Sequence, residues 1–272
     1  MDIGKVRVCM KLLLALLFAA LPVLSSTKIL VTVIEKKSGK PVLGLKSGDF
    51  TVLNDGAPRS VEAAEYSAGL MDVMLLLDTS LLGGIVQPVA ENLVAQLEPK
   101  EQMAVVAFHS AADLIQDFTS SQELIRRAIG SVKYGNTPRL LDALFAVIND
   151  GFENATFRRV IILLTAGLEG PSRVSEREVL RLARRSGVSI YPVYVAGQER
   201  GLFEKLAGQT GGASFSLGDM RKASKDPPGP RIFEVVRSHY TLTVSGNLAL
   251  GDRVKVEVKR PEKLLVSGLP LD

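Results

Sequence analysis

The residues best placed to do chemistry in this chain are Asp78, Thr79 and Ser80, a carboxylate and two hydroxyls that follow directly on the apolar run Val73 to Leu77. Hard oxygen ligands of this kind suit a magnesium-like ion. The next two positions supply neither oxygen nor a tight glycine turn, because Leu81 and Leu82 stand there. Adjacent leucines at such an edge either anchor an apolar partner surface or fold back under the rim as core. The general tendency of apolar side chains favours core. Asp78 also has a plainer reading, as a side-chain acceptor that caps its own loop.

Other chemistries are weaker. His109 and His239 are the only histidines, so a metal cluster built on them is not expected. Ser80, His109 and Asp142 can be drawn as a nucleophilic triad, yet no Gly-x-Ser-x-Gly elbow is present. Asp142 reads instead as a loop holder that accepts backbone hydrogen bonds. No Gly-x-x-x-x-Gly-Lys loop or Gly-x-Gly-x-x-Gly turn follows any strand. Cys9 is the only cysteine, and residues 27–272 therefore offer neither a disulfide nor a thiolate metal site.

The elements that must position these groups alternate from Met71 onward between buried strands and amphipathic helices, the pattern of an α/β sheet. Val73 to Leu77, Gln102 to Phe108, Val160 to Leu164 and Val188 to Val195 read as strands, with Leu114 to Phe118 as an antiparallel edge partner. Ile85 to Leu97 has helical spacing, as do the stretches carrying Leu124 to Ile129 and Leu140 to Val147. Ser175 with Glu178 forms a capping box for a further helix. Leu202 to Ala207 is a short helix, and Ala213 to Leu217 is the last strand of this part. In a parallel sheet, ligands gather beyond the carboxyl ends of the strands, where Asp78 and His109 both fall.

Smaller β modules flank this part. Lys28 to Ile34 and Phe50 to Leu53 are strand-like, Asn54-Asp55-Gly56 is a hairpin turn, and Ser60 to Tyr66 is the expected return strand. After Pro227-Pro228-Gly229-Pro230, read as a linker, come a helix-like Arg231 to Arg237 and strands at Tyr240 to Val244, Arg253 to Val258 and Leu264 to Val266. The expected division is 1–26, 27–69, 70–222 and 223–272.

Residues 1–26 read as a secretory leader. Lys5, Arg7 and Lys11 precede the apolar stretch Leu12 to Val23, and Ser25 and Ser26 follow. Met10 begins an equally good, shorter leader. The chain is thus expected to be exported, to the periplasm or the exterior, with membrane attachment only if the leader stays uncleaved. Without residues 1–26 the chain has 30 basic against 28 acidic groups. That near-neutral balance, with no basic run interleaved with aromatics, argues against nucleic acid as a partner.

With these residues placed, the chain resembles the bacterial von Willebrand factor A-related family, secreted proteins plentiful in acidobacterial genomes. The likeness runs through Val42-Leu43-Gly44-Leu45, Asp49-Phe50, Asp78-Thr79-Ser80, Asp117-Phe118-Thr119-Ser120, Gly135-Asn136-Thr137, Leu141-Asp142-Ala143-Leu144, Ile162-Leu163-Leu164-Thr165 and Thr210-Gly211-Gly212. It implies a von Willebrand A-like, doubly wound, mostly parallel sheet with helices on both faces, plus the small N- and C-terminal β modules. It also implies a metal-ion-dependent adhesion site, built from an Asp-x-Ser-x-Ser loop, a Thr and a later Asp. Asp78, Ser80 and Thr137 match that pattern. The second Ser falls on Leu82 and the later Asp on Ala166, with Glu169 three residues beyond. The site is therefore expected to be degenerate, with no cofactor or only weak Mg²⁺. The function implied is adhesion-type, non-enzymatic protein–protein binding, with Leu81 and Leu82 as candidate partner-binding anchors. Two alternatives stand beside it: a metal-free structural scaffold of an envelope assembly, and a hydrolase using Asp78 or His109.

Overall fold

The computed structural model describes residues 26–248 and 254–271. Apart from Ser26, the expected leader lies outside the described residues. Among the described residues no helix is long and apolar enough to cross a membrane.

In chain order the strands are β1 (Ser26–Glu35), β2 (Phe50–Asn54), β3 (Ala57–Arg59), β4 (Val61–Ser67), β5 (Met71–Asp78), β6 (Gln102–Phe108), β7 (Ala112–Thr119), β8 (Arg158–Thr165), β9 (Ser189–Tyr194), β10 (Phe215–Ser216), β11 (His239–Ser245), β12 (Val254–Val258) and β13 (Leu264–Leu271). The helices are α1 (Gln87–Val94), α2 (Gln122–Ser131), α3 (Leu140–Asp150), α4 (Glu176–Arg185), α5 (Arg200–Gly208), α6 (Leu217–Ala223) and α7 (Pro228–Arg237).

The central sheet has the order β10-β9-β8-β5-β6-β7 and is parallel except for β7, which runs antiparallel to β6. β5 is buried along its whole length, which is why its sequence is a continuous apolar run rather than an alternating one. Val73, Leu75 and Leu77 face one side with α1, α2 and α7. Met74 and Leu76 face the other, against α3, α4 and α5. Helices on both faces make the doubly wound α/β fold expected from the sequence. The chain leaves β5 toward β6 and β7, then returns to β8 on the opposite flank. The switch point therefore lies between the carboxyl ends of β5 and β8.

The terminal β segments prove to be one unit rather than two. β1 lies between β11 and β13, and β11 also pairs with β4. A second sheet, β12-β2-β3, likewise mixes both ends of the chain. Ile29, Val31, Phe50, Val52, Tyr240 and Leu242 form their shared core. The Tyr240 hydroxyl donates to the Val42 carbonyl at 2.9 Å and accepts from the Leu45 N–H at 3.1 Å. This unit is fastened to the central domain where the Thr32 and Ser267 hydroxyls donate to the Gly211 and Gly212 carbonyls at 2.8 and 2.6 Å.

Three local expectations are corrected. The strand returning from the Asn54-Asp55-Gly56 turn is the short β3, while Val61–Ser67 leaves for the other sheet to pair with β11. Asp55 and Gly56 both have positive φ, which closes the hairpin tightly and ends it early. Residues 227–230 are not a linker, because Pro228 opens α7; proline suits the first turn, where its missing N–H has no intrahelical partner anyway. The strand expected over Ala213 to Leu217 is only Phe215–Ser216, and Leu217 opens α6, which the Ser216 hydroxyl caps by accepting from the Asp219 N–H at 3.2 Å.

Candidate functional site

Asp78 closes β5 at the switch point and is fully buried. Its Oδ2 accepts from the Thr165 hydroxyl at 2.8 Å and from the Ala166 N–H at 2.9 Å, across to the end of β8. Its Oδ1 accepts from the Ser80 N–H at 2.9 Å. The carboxylate thus ties the two strands flanking the switch point and turns its own loop, which is the capping reading of the sequence. Thr165 Oγ1 also accepts from the Gly167 N–H at 3.0 Å, extending the tie into the β8 loop.

Backbone crowding fixes the shape of this rim. A Cβ on Gly83 would overlap the Asp78 carbonyl, so the chain turns back on itself only because no side chain is there. The Thr79 hydroxyl donates to the Phe108 carbonyl at 3.0 Å, pinning the loop to β6. Gly135 N–H donates to the Thr79 carbonyl at 2.9 Å, and Leu81 N–H to the Asn136 carbonyl at 3.3 Å. These bonds lay the 79–81 loop beside the loop carrying Thr137, which is exposed. Asn136 sits at φ 60°, a conformation asparagine tolerates better than most residues.

The two positions that depart from the adhesion pattern have different fates. Ala166 is buried and offers only its N–H to Asp78. Leu81 and Leu82 are 77% and 60% exposed, and Ile85, in the turn that follows, is 55% exposed. The core reading of the two leucines is therefore overturned. The loop is held from below by Asp78 and Gly83, and its side chains point away from the packed interior.

Glu169 does not supplement Asp78. Its carboxylate accepts from the Leu140 and Leu141 N–H groups at 2.8 and 3.4 Å, closing the N-terminus of α3. Burial raises its pKa, opposed by the Ser172 hydroxyl and the two backbone donors. Asp142 holds a loop as expected, with Oδ1 accepting from the Arg173 and Val174 N–H groups at 2.8 and 2.9 Å. His109 is half-buried, and its Nδ1 is bonded to Ser110. The hydrogen bonds of Ser80, His109 and Asp142 thus run to separate partners and do not link them into a triad. Among the described residues, no three His, Cys, Asp or Glu side chains gather as a metal-holding group.

Tyr134 belongs to this rim and was not singled out from the sequence. Its hydroxyl donates to Gln87 Oε1 at 3.4 Å. Burial raises its pKa, and the negative charge of Asp78 raises it further. The sequence held one clue, an aromatic immediately before Gly135-Asn136-Thr137.

The family model for the von Willebrand factor type A domain matches residues 72–226. Proximal thread matrix protein 1 from the mussel byssus is similar at 19% identity and a TM-score of 0.54, over 68% of this chain and 50% of that one. A second structure of that mussel protein, with a zinc occupied MIDAS motif, is similar at 18% identity and a TM-score of 0.53, over 68% and 50%. A von Willebrand factor type A protein from Catenulispora acidiphila covers 88% of this chain and 75% of its own, at 12% identity and a TM-score of 0.49. The chain spans about half the length of the mussel structures, and at such identities the likeness is one of fold. No curated protein matches.

Proposed function

The chain belongs to the von Willebrand factor type A domain family, and on that premise we propose that it is an exported, non-enzymatic protein of the bacterial, acidobacterial type that binds a protein partner. The partner docks at the switch-point rim, on Leu81, Leu82 and Ile85, with Tyr134 alongside. Apolar contact carries the recognition, and the reduced set Asp78, Ser80 and Thr137 contributes at most a weak Mg²⁺ site.

The observation that carries this reading is the division of labour in one loop. The single carboxylate is buried with both oxygens engaged by protein donors, while the leucines beside it stand 77% and 60% exposed. A magnesium ion needs near-octahedral oxygen ligation and sheds water reluctantly. One carboxylate that already accepts three hydrogen bonds, with Ala166 and Leu82 where two further oxygens belong, fits that demand poorly. Burying a leucine side chain, by contrast, contributes about 2 kcal/mol, so the pair offers a partner about 4 kcal/mol before the costs of association. An apolar group exposed on this scale at a family's binding edge is the kind of feature that marks an interaction site.

The test is a Leu81→Ser, Leu82→Ser variant of the full chain. A protein recovered on immobilised wild type is purified and titrated against both forms. Its affinity is expected to fall at least tenfold for the variant, with an unchanged melting temperature. Equal affinity would move the docking surface elsewhere.

A further inference from the structure

A second concave site lies away from Asp78, where the terminal β unit meets the far flank of the central sheet. It is an open cavity of about 360 Å³ between the end of β1 with its following turn, the strand β13, and the elements β10, α5, α6 and α7. That volume lies at the lower end of the range of small-molecule pockets. Its floor is apolar, with Ile34, Ala213, Phe215, Met220 and Val266.

The charges around its wall are unevenly matched. Arg200 donates to Glu204 at 2.8 Å and to Asp219 at 3.2 Å, one cation shared between two carboxylates. Glu35 accepts from the Ser38 hydroxyl at 2.6 Å. Lys36, Lys37 and Arg231 also line the cavity, and the side chain of each is without a hydrogen-bond or ion-pair partner among the described residues. Arg231 is the informative one. The residue is half-buried, and its guanidinium lies against the 35–39 turn, at the place where Gly39 has φ +66° and no side chain. A Cβ there would lie 2.6 Å from Arg231 Nη2. The turn is shaped to admit the cation, yet no protein acceptor meets it. A partly desolvated guanidinium with five donors is a strong and directional receptor for a carboxylate or phosphate.

We infer that this cavity binds a small amphipathic anion, a carboxylate or phosphate monoester on a short apolar body. The head pairs with Arg231, the two lysines add attraction at the mouth, and the apolar body lies on the floor. Because the walls come from both the terminal β unit and the central domain, the ligand also bridges them and raises the melting temperature. The inference is independent of the switch-point rim.

Calorimetric titration of the full chain with octanoate, octyl phosphate and octanol, with acetate as the head alone, tests it. Saturable binding is expected for at least one of the two anions, with octanol and acetate much weaker. The stronger of the two identifies the head group. Arg231→Gln is expected to weaken binding about tenfold, as loss of a charge-assisted contact would. Lys36→Gln, Lys37→Gln touches only exposed side chains and leaves folding intact, and it is expected to weaken binding severalfold. Absence of saturable binding by both anions would overturn the inference. So would octanol binding as tightly as octanoate, or affinity unchanged in the lysine variant together with a folded Arg231→Gln protein.

Discussion

Strand β5 carries a buried aspartate near each end, and the two do different things with the same chemistry. At the amino end, Asp72 Oδ2 accepts from the Thr156 and Phe157 N–H groups at 2.6 and 2.7 Å, stapling the chain that enters β8, while its Oδ1 has no partner. At the carboxyl end, Asp78 uses both oxygens, to its own loop and to β8. Both side chains are essentially inaccessible, at 1% and 0% exposure. A carboxylate at the end of a buried strand is therefore no site by itself. What sets the upper end apart is its surroundings: exposed Leu81, Leu82, Ile85 and Tyr134, and a hydroxyl loop drawn alongside. On this account function lies in those neighbours, and Asp78 is the peg from which they hang.

Removing each peg tests that contrast. Asp78→Ala strips acceptors from two N–H groups and a buried hydroxyl, and should cost about 3 kcal/mol in denaturant unfolding. Asp72→Ala also orphans two N–H groups but relieves an unpartnered oxygen, so a smaller loss, about 2 kcal/mol, is expected. Equal or reversed losses would mean that the upper carboxylate is less embedded than its hydrogen bonds imply.

A comparable effect comes from His239, at the start of β11. It is 8% exposed, and its pKa is lowered to about 4, first by burial and then by the charge of Arg158, against the opposing Arg237 carbonyl. Its folded pKa lies below the unfolded value near 6.5, so the folded state binds fewer protons between those limits. Stability from this group is complete above about pH 6.5 and declines as pH falls toward 4. Between pH 7 and pH 5 the loss should be about 2 kcal/mol, and His239→Gln should be flatter across that window by this amount. The smallest effect belongs to the leucine pair. Leu81→Ser, Leu82→Ser should change stability by less than about 0.5 kcal/mol, as exposed positions do; a larger loss would mean that the leucines pack in solution after all.

Much of the central domain is legible in the sequence because its cues are local. The apolar run ending at Asp78 marks a buried strand, Ser175 and Glu178 form the expected capping box, and Asp142 holds its loop as read. The terminal unit is harder because its pairings are remote: Thr27 meets Val244, and no periodicity within either segment reports such a partner. The core reading of the leucines at 81 and 82 fails for a related reason. Hydrophobicity measures what a side chain would gain by burial, whereas exposure depends on whether anything packs above the loop. Tyr134 and Ile85 are hidden likewise, since only the fold of the 79–86 and 134–137 loops brings them to one rim.

The most direct measurement is calorimetric titration of Mg²⁺ and Mn²⁺ into the full chain, with Asp78→Ala in parallel. The account predicts no saturable heat and no rise in melting temperature at millimolar metal, because the rim's lone carboxylate is already engaged by Ser80, Thr165 and Ala166. Saturable binding in the wild type that disappears in a folded Asp78→Ala protein would contradict it, and would make the ion, rather than the leucines, the centre of recognition.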